Sequence, residues 1–188
     1  MDKVYKRLNV TFDSYAGESF YNDKMQPVID ELKEKGLLRY SDGAAIVDLE
    51  EYGMPPCLIL KKDGSSLYAT RDMAAAVYRK NTYDFYKCLY VTAYQQDLHF
   101  RQFFKVLELM GKEWAKDLVH VSYGMVSMED GSMSTRSGKV VFLEDVLDKC
   151  VEKAARIIEE KNETLENKAD VARQVGTGAV IFSALYNN

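Results

Sequence analysis

The sequence predicts an α/β fold: a mostly parallel sheet with crossover helices, entered through a small α+β segment. Three observations predict it. From Tyr68 onward, short apolar runs of strand length alternate with longer runs of helical period, the order that produces parallel strands joined by crossover helices. Before Tyr68 the runs are shorter, and Asp42-Gly43 and Asp63-Gly64 punctuate them as turns. With 188 residues the chain suits one domain and is long enough to bury a core.

The elements follow in order. The first stretch, to about Asn22, is polar and aromatic with little periodicity. Residues 27–35 read as a helix: Pro27 suits its first turn, Val28, Ile29 and Leu32 form one face, and Gly36 ends it. Residues 37–40 and 44–47 flank Asp42-Gly43, so a hairpin is expected. Residues 57–60 form a short apolar strand after Pro55-Pro56, and Asp63-Gly64 turns the chain into 66–69. Thr70 stands where it would cap a helix running to about Lys80, with Ala74, Val77 and Tyr78 facing inward. Residues 89–93 read as a buried strand. Phe100, Phe103, Phe104, Leu107 and Met110 fall at helical spacing, and Gly111 stops that helix. Residues 118–123 read as a second buried strand. Val146, Leu147, Cys150, Val151, Ala154, Ile157 and Ile158 mark a long amphipathic helix. After a polar break at 162–168, Val171, Val175, Phe182 and Leu185 suggest a last one.

Composition narrows the function. Twenty-five Lys and Arg against 29 Asp and Glu give a net charge of −4, so the chain has no general attraction to nucleic acid, and RNA contact requires a local patch or another region. Cys57, Cys88 and Cys150 lie far apart with no Cys-x-x-Cys, which argues against a disulfide framework and for a reducing compartment. His99 and His120 are too few and too separated for a zinc motif, so no metal ligand is assigned. No apolar run approaches a membrane span, and the start, Met1-Asp2-Lys3-Val4-Tyr5-Lys6, lacks a signal peptide's apolar stretch. The expected location is the cytoplasm, and the expected state a monomer.

The most informative stretch is Gly131-Ser132-Met133-Ser134-Thr135-Arg136-Ser137-Gly138-Lys139. It lies between an expected strand and an expected helix. Glycines let the backbone approach an anion, hydroxyls and amides donate hydrogen bonds, and Arg136 and Lys139 neutralise charge. The spacing does not fit a P-loop, which needs a Gly-Lys-Ser/Thr ending. A solvated surface turn is the plainer alternative, because serine and glycine suit any turn.

Residues 133–138 resemble the signature loop of class I aminoacyl-tRNA synthetases, and the surrounding sequence resembles arginyl-tRNA synthetases in particular. The resemblance takes in Phe12-Asp13-Ser14-Tyr15-Ala16-Gly17-Glu18-Ser19, Leu67-Tyr68-Ala69-Thr70-Arg71-Asp72, Gln96-Asp97-Leu98-His99-Phe100 and Gly178-Ala179-Val180-Ile181-Phe182. It implies the second half of a Rossmann-like catalytic domain at 66–145, with the signature loop at 131–139. A connective insertion of a helix and short strands, 1–65, would precede it. A helical segment, 146–188, would lead to an anticodon-binding domain. The implied activity is ATP-dependent activation of arginine and its transfer to tRNA(Arg), with Mg2+ accompanying ATP.

The resemblance also assigns residues. Tyr68 and Asp72 match the pair that contacts the substrate arginine, whose guanidinium favours a carboxylate gripping it through two parallel hydrogen bonds. Without the resemblance, Asp72 reads as complementing a helix N-terminus and Tyr68 as core. Gln96 matches a substrate-binding glutamine. His99, three residues on, shares its side of a helix but reads as a partly buried core histidine, and Glu18 receives no role. Gly124, Met125 and Val126, with Met133, would border adenine. Ser134, Thr135, Arg136 and Lys139 would steady the departing pyrophosphate.

Two departures stand out. The usual loop is Lys-Met-Ser-Lys, often extended to Lys-Met-Ser-Thr-Arg-Lys-Gly in arginyl enzymes. Here Ser132 replaces the first lysine, Thr135 the second and Ser137 the third. The His-Ile-Gly-His-type motif of these enzymes is absent, as are their N-terminal tRNA-contacting and anticodon-binding domains. The expectation is an internal piece of a longer enzyme, inactive alone, with tRNA contacted mainly through other domains. A non-catalytic binding module, or another adenylate-forming nucleotidyltransferase, remains the alternative.

Overall fold

Asp42 and Gly43 both take positive φ, 50° and 83°. A two-residue hairpin loop that matches strand twist demands this conformation, and glycine adopts it without strain. They join β1 (Leu38–Ser41) to β2 (Ala44–Val47), antiparallel, with Ser41 opposite Ala44. β3 (Cys57–Leu60) pairs antiparallel with the other edge of β2, the register shifting between Ala45 and Ile46. The expected hairpin and strand are therefore present. The computed structural model describes residues 2–124 and 141–186, with the backbone alone for 127–128 and 131–132.

Two helices precede the hairpin, α1 (Asp2–Arg7) and α2 (Met25–Glu34). Val28, Ile29 and Leu32 of α2 are buried in one core with Val47, Cys57 and Ile59. Burial there pushes the Cys57 thiol up to about 12, because a thiolate would lose its water. The opening stretch is more ordered than its lack of periodicity suggests. A 3-10 helix spans Glu18–Lys24 and buries Tyr21, whose ring meets Phe20 and Tyr78 edge-on. Elements this short complete too few turns for a helical period to register.

α3 (Tyr68–Tyr83) begins earlier than expected. Its N-cap is Leu67, which makes no side-chain cap, and Thr70 lies inside the helix, fully buried. The Thr70 hydroxyl donates instead to the Ile59 carbonyl of β3, at 2.6 Å. Thr70 thus fastens helix to sheet, and the local cap is not formed.

β4 (Cys88–Ala93) and β5 (Leu118–Tyr123) pair in parallel, Leu89 opposite Val119 and Ala93 opposite Tyr123. α4 (Asp97–Leu109) is the crossover between them, as the alternation of runs required. The inner face carries Tyr90, whose ring packs against Phe100, Phe103 and Phe104 of α4. The other face corrects an expectation. Leu89, Val91, Val121 and Tyr123 are exposed, Val91 by 62%. An unbroken apolar run reads as a strand buried on both faces, but among the described residues of this unit only one face of the sheet is covered.

The chain divides into two compact units, residues 15–123 and residues 1–14 with 124–188. The second contains a short antiparallel pair, β6 (Ser127–Met128) and β7 (Gly131–Ser132), then α5 (Leu143–Lys161) and α6 (Lys168–Tyr186). Leu147 and Ala154 of α5 and Ala172 and Gly176 of α6 are buried. At Gly176 the backbones nearly touch: an added Cβ would lie 2.6 Å from Val151 Cα. Arg7 of α1 bonds to Asp148 of α5 at 2.7 Å.

Candidate functional site

In parallel α/β sheets, ligands collect at the carboxyl ends of the strands. β4 ends at Ala93, a 3-10 turn follows at Tyr94–Gln96, and α4 starts at Asp97. Gln96 is therefore the N-cap of α4, exposed at the mouth of the sheet.

His99 lies in the first turn of α4 and reaches across to α3. Its Nε2 is 2.6 Å from Asp72 Oδ2. An ionised carboxylate only accepts hydrogen bonds, so Nε2 carries the hydrogen and donates. The imidazole packs between two buried rings, its centroid 5.3 Å from both Phe100 and Phe103. Asp72 is partly exposed and sits one turn into α3 rather than in its first turn. A carboxylate offers about four lone-pair sites, so one bond from His99 leaves capacity for a forked cation. Tyr68, four residues earlier, opens α3 and is 68% exposed, not core.

A second histidine organises the same end of the sheet. His120 on β5 stacks on Phe100, the centroids 4.2 Å apart and the planes at 15°. Its Nδ1 is 3.1 Å from Asp97 Oδ1, and its Nε2 is 2.8 Å from Thr92 Oγ1. With Nδ1–H donating to the carboxylate, the neutral ring's Nε2 accepts from the Thr92 hydroxyl. One ring thereby joins β4, β5 and the start of α4, which carries Gln96. Behind Asp72, Arg71 donates from Nη1 to Glu18 at 2.8 Å and from Nε to Asn22 Oδ1 at 3.2 Å.

The structure therefore brings Asp72 and His99 into contact and places Tyr68 and Gln96 near them along their own helices. Gly124 follows β5 directly and is exposed. Met125, Val126, Met133, Ser134, Thr135, Arg136 and Lys139 lie outside the described residues. Sequence reasoning left Glu18 and His99 without roles and weighed His120 only as a metal ligand. The three-residue step from Gln96 to His99 was the available signal for His99. Nothing local pointed to Glu18, whose partner is 53 residues away.

The comparisons agree with one another. Residues 1–188 match the family model for tRNA synthetases class I (R), catalytic domain. The arginine–tRNA ligase of Halothermothrix orenii is 64% identical over 186 residues, covering 99% of this chain and 33% of that protein. The arginine–tRNA ligase of Alkaliphilus metalliredigens is 61% identical over 188 residues, covering 100% and 33%. This chain thus spans about a third of the length of the curated relatives it matches. Among solved structures, arginyl-tRNA synthetase from Plasmodium falciparum superposes with a TM-score of 0.83 at 26% identity, over all of this chain and 32% of that one. The Thermus thermophilus arginyl-tRNA synthetase gives 0.82 at 21% identity, over 97% and 37%, a likeness of fold. With its whole length matched by the family model, and with an α/β fold that these structures share, the chain belongs to the class I (R) tRNA synthetase catalytic-domain family.

Proposed function

We propose that this chain is part of an ATP-dependent arginine–tRNA ligase and holds the substrate arginine at the carboxyl end of β4. The observation that carries the reading is Asp72. It is a partly exposed carboxylate, bonded on one oxygen by His99, in a chain 64% identical to a protein named arginine–tRNA ligase. Asp72 grips the guanidinium, with the Tyr68 hydroxyl and the Gln96 amide beside it.

The arginine carboxylate attacks the α-phosphate of ATP, taken as its magnesium complex. A C–O–P bond forms, the bond to the β-phosphate bridge breaks, and arginyl-adenylate and pyrophosphate result. A terminal ribose hydroxyl of tRNA(Arg), which the longer polypeptide contacts mainly through other domains, then attacks the arginyl carbonyl, forming the ester and releasing AMP and a proton. The protein's contribution is positioning and electrostatic stabilisation rather than covalent catalysis. By sequence resemblance, Gly124, Met125, Val126 and Met133 border adenine, while Ser134, Thr135, Arg136 and Lys139 stabilise the pyrophosphate. The cytoplasm is the proposed location, and the proposed state a monomer.

The test is Asp72→Asn in the full-length ligase, which preserves shape and removes charge. The expected loss in the specificity constant for arginine is about 2–5 kcal/mol, as for truncating one member of a buried charged pair. ATP use should change little, and discrimination against citrulline, whose side chain is neutral, should erode. Circular dichroism checks folding. If stability changes while arginine use does not, Asp72 is a helix residue only and the pocket assignment falls.

A further inference from the structure

We propose that His99 is a positioning residue that fixes the plane of the Asp72 carboxylate and so sets preference for a guanidinium over a simple ammonium. This inference rests on the reading of Asp72 as the arginine ligand.

The terminal torsion of an aspartate is broad and roughly two-fold, so a carboxylate at an exposed edge turns readily. A forked guanidinium makes its two parallel hydrogen bonds only when the carboxylate lies in its plane. An ammonium is a point charge with rotatable donors and tolerates a turned carboxylate. Whatever fixes that plane before binding therefore favours arginine over lysine, and it spares the entropy of ordering the carboxylate on binding.

His99 has the geometry for this task. Its Nε2 hydrogen bonds to Asp72 Oδ2 at 2.6 Å, spanning from α4 to α3. The ring cannot swing freely, because Phe100 and Phe103, both buried, stand against it. The two helices are themselves fixed: Thr70, two residues before Asp72, is bonded to β3, and His120 ties the start of α4 to β4 and β5. Arg71, the cation adjacent to Asp72 in sequence, is engaged with Glu18. One oxygen of Asp72 is thus held by a rigid donor, and among the described residues that is its one hydrogen bond, which leaves lone pairs for the ligand.

The experiment uses the full-length ligase and four variants, His99→Leu, His99→Asn, His99→Gln and Asp72→Asn. Steady-state adenylate formation is measured with arginine, lysine and ATP varied in turn. His99→Leu, and His99→Asn, whose amide is too short to reach, should raise KM for arginine about 10–100-fold, the loss expected for a hydrogen bond to a charged group. In both, kcat and the KM for ATP should stay within about threefold, and the arginine-to-lysine preference should fall. His99→Gln places an amide donor near the position of Nε2 and should restore arginine KM to within about fivefold of the native enzyme. If His99→Leu does not fold, the Asn and Gln pair makes the same comparison.

An unchanged arginine KM in His99→Leu and His99→Asn, with Asp72→Asn impaired, overturns the inference and leaves the pocket standing. An unimpaired Asp72→Asn removes the pocket and the inference together. A fall in kcat with arginine KM unmoved places His99 in the chemistry or in the scaffold, and also overturns it.

Discussion

Thr70 is a buried polar residue whose hydroxyl serves one carbonyl, that of Ile59. Replacing it with valine keeps the volume and removes the buried donor to that carbonyl, which costs about 1–3 kcal/mol. Thr70→Val should therefore lower the urea midpoint of unfolding, and Thr70→Ser should recover most of it; equal midpoints for the Val variant and the native chain would mean water replaces the lost donor. Residues of this kind were only half legible in sequence. Thr70 sits where a cap is plausible, and its true acceptor is 11 residues away on another element. Tyr68, Asp72 and Gln96 could be picked out because a resemblance marks them. What His99 and Glu18 touch could not, since both partners arrive through tertiary folding.

Helices were easier to place than strands, because a helical period marks where the chain coils. α5 and α6 occupy the places their apolar spacing marked, with Leu147 and Ala154 of α5 inside, but in α6 Ala172 and Gly176 are buried while Val175, Phe182 and Leu185 of the expected face are exposed. Periodicity does not report how closely two helices approach. Gly176 and Gly178 occupy the same helix two residues apart, yet an added methyl meets Val151 backbone at 2.6 Å in one case and nothing within 4 Å in the other. Alanine normally stabilises a helix over glycine by about 0.5–1 kcal/mol. Gly178→Ala should gain roughly that in thermal or chemical unfolding. Gly176→Ala should lose about 1–3 kcal/mol, because overpacking against backbone outweighs propensity. Opposite signs from one chemical change are the diagnostic, and equal signs would mean that the helices separate without cost.

For the whole chain, the fold class was legible because alternation of runs determines connectivity, and connectivity determines a parallel pair. The covering of that pair was not, since apolar residues on a strand report what the fold requires and not what is present to satisfy it. Leu89, Val91, Val121 and Tyr123 are exposed on one sheet face among the described residues, whereas parallel sheets are ordinarily covered on both sides. Exposed apolar patches of this kind bind hydrophobic dyes and self-associate. The 188-residue chain alone should bind such a dye in its folded state, and Leu89→Thr with Val91→Thr should diminish the fluorescence. No change in dye binding would mean that this face is occluded in solution.

The tight Asp42-Gly43 turn has a consequence in time. A hairpin closed by two residues forms in about 1–10 μs, since almost no chain entropy is lost in bringing its strands together. β4 and β5 pair across the whole of α4, and non-local pairings of this kind are slow to form. Of the residues proposed to hold arginine, Gln96 stands on that junction, and His99 of α4 links it to Asp72 on α3. A refolding chain therefore acquires its antiparallel scaffold first and its capacity to recognise a ligand last.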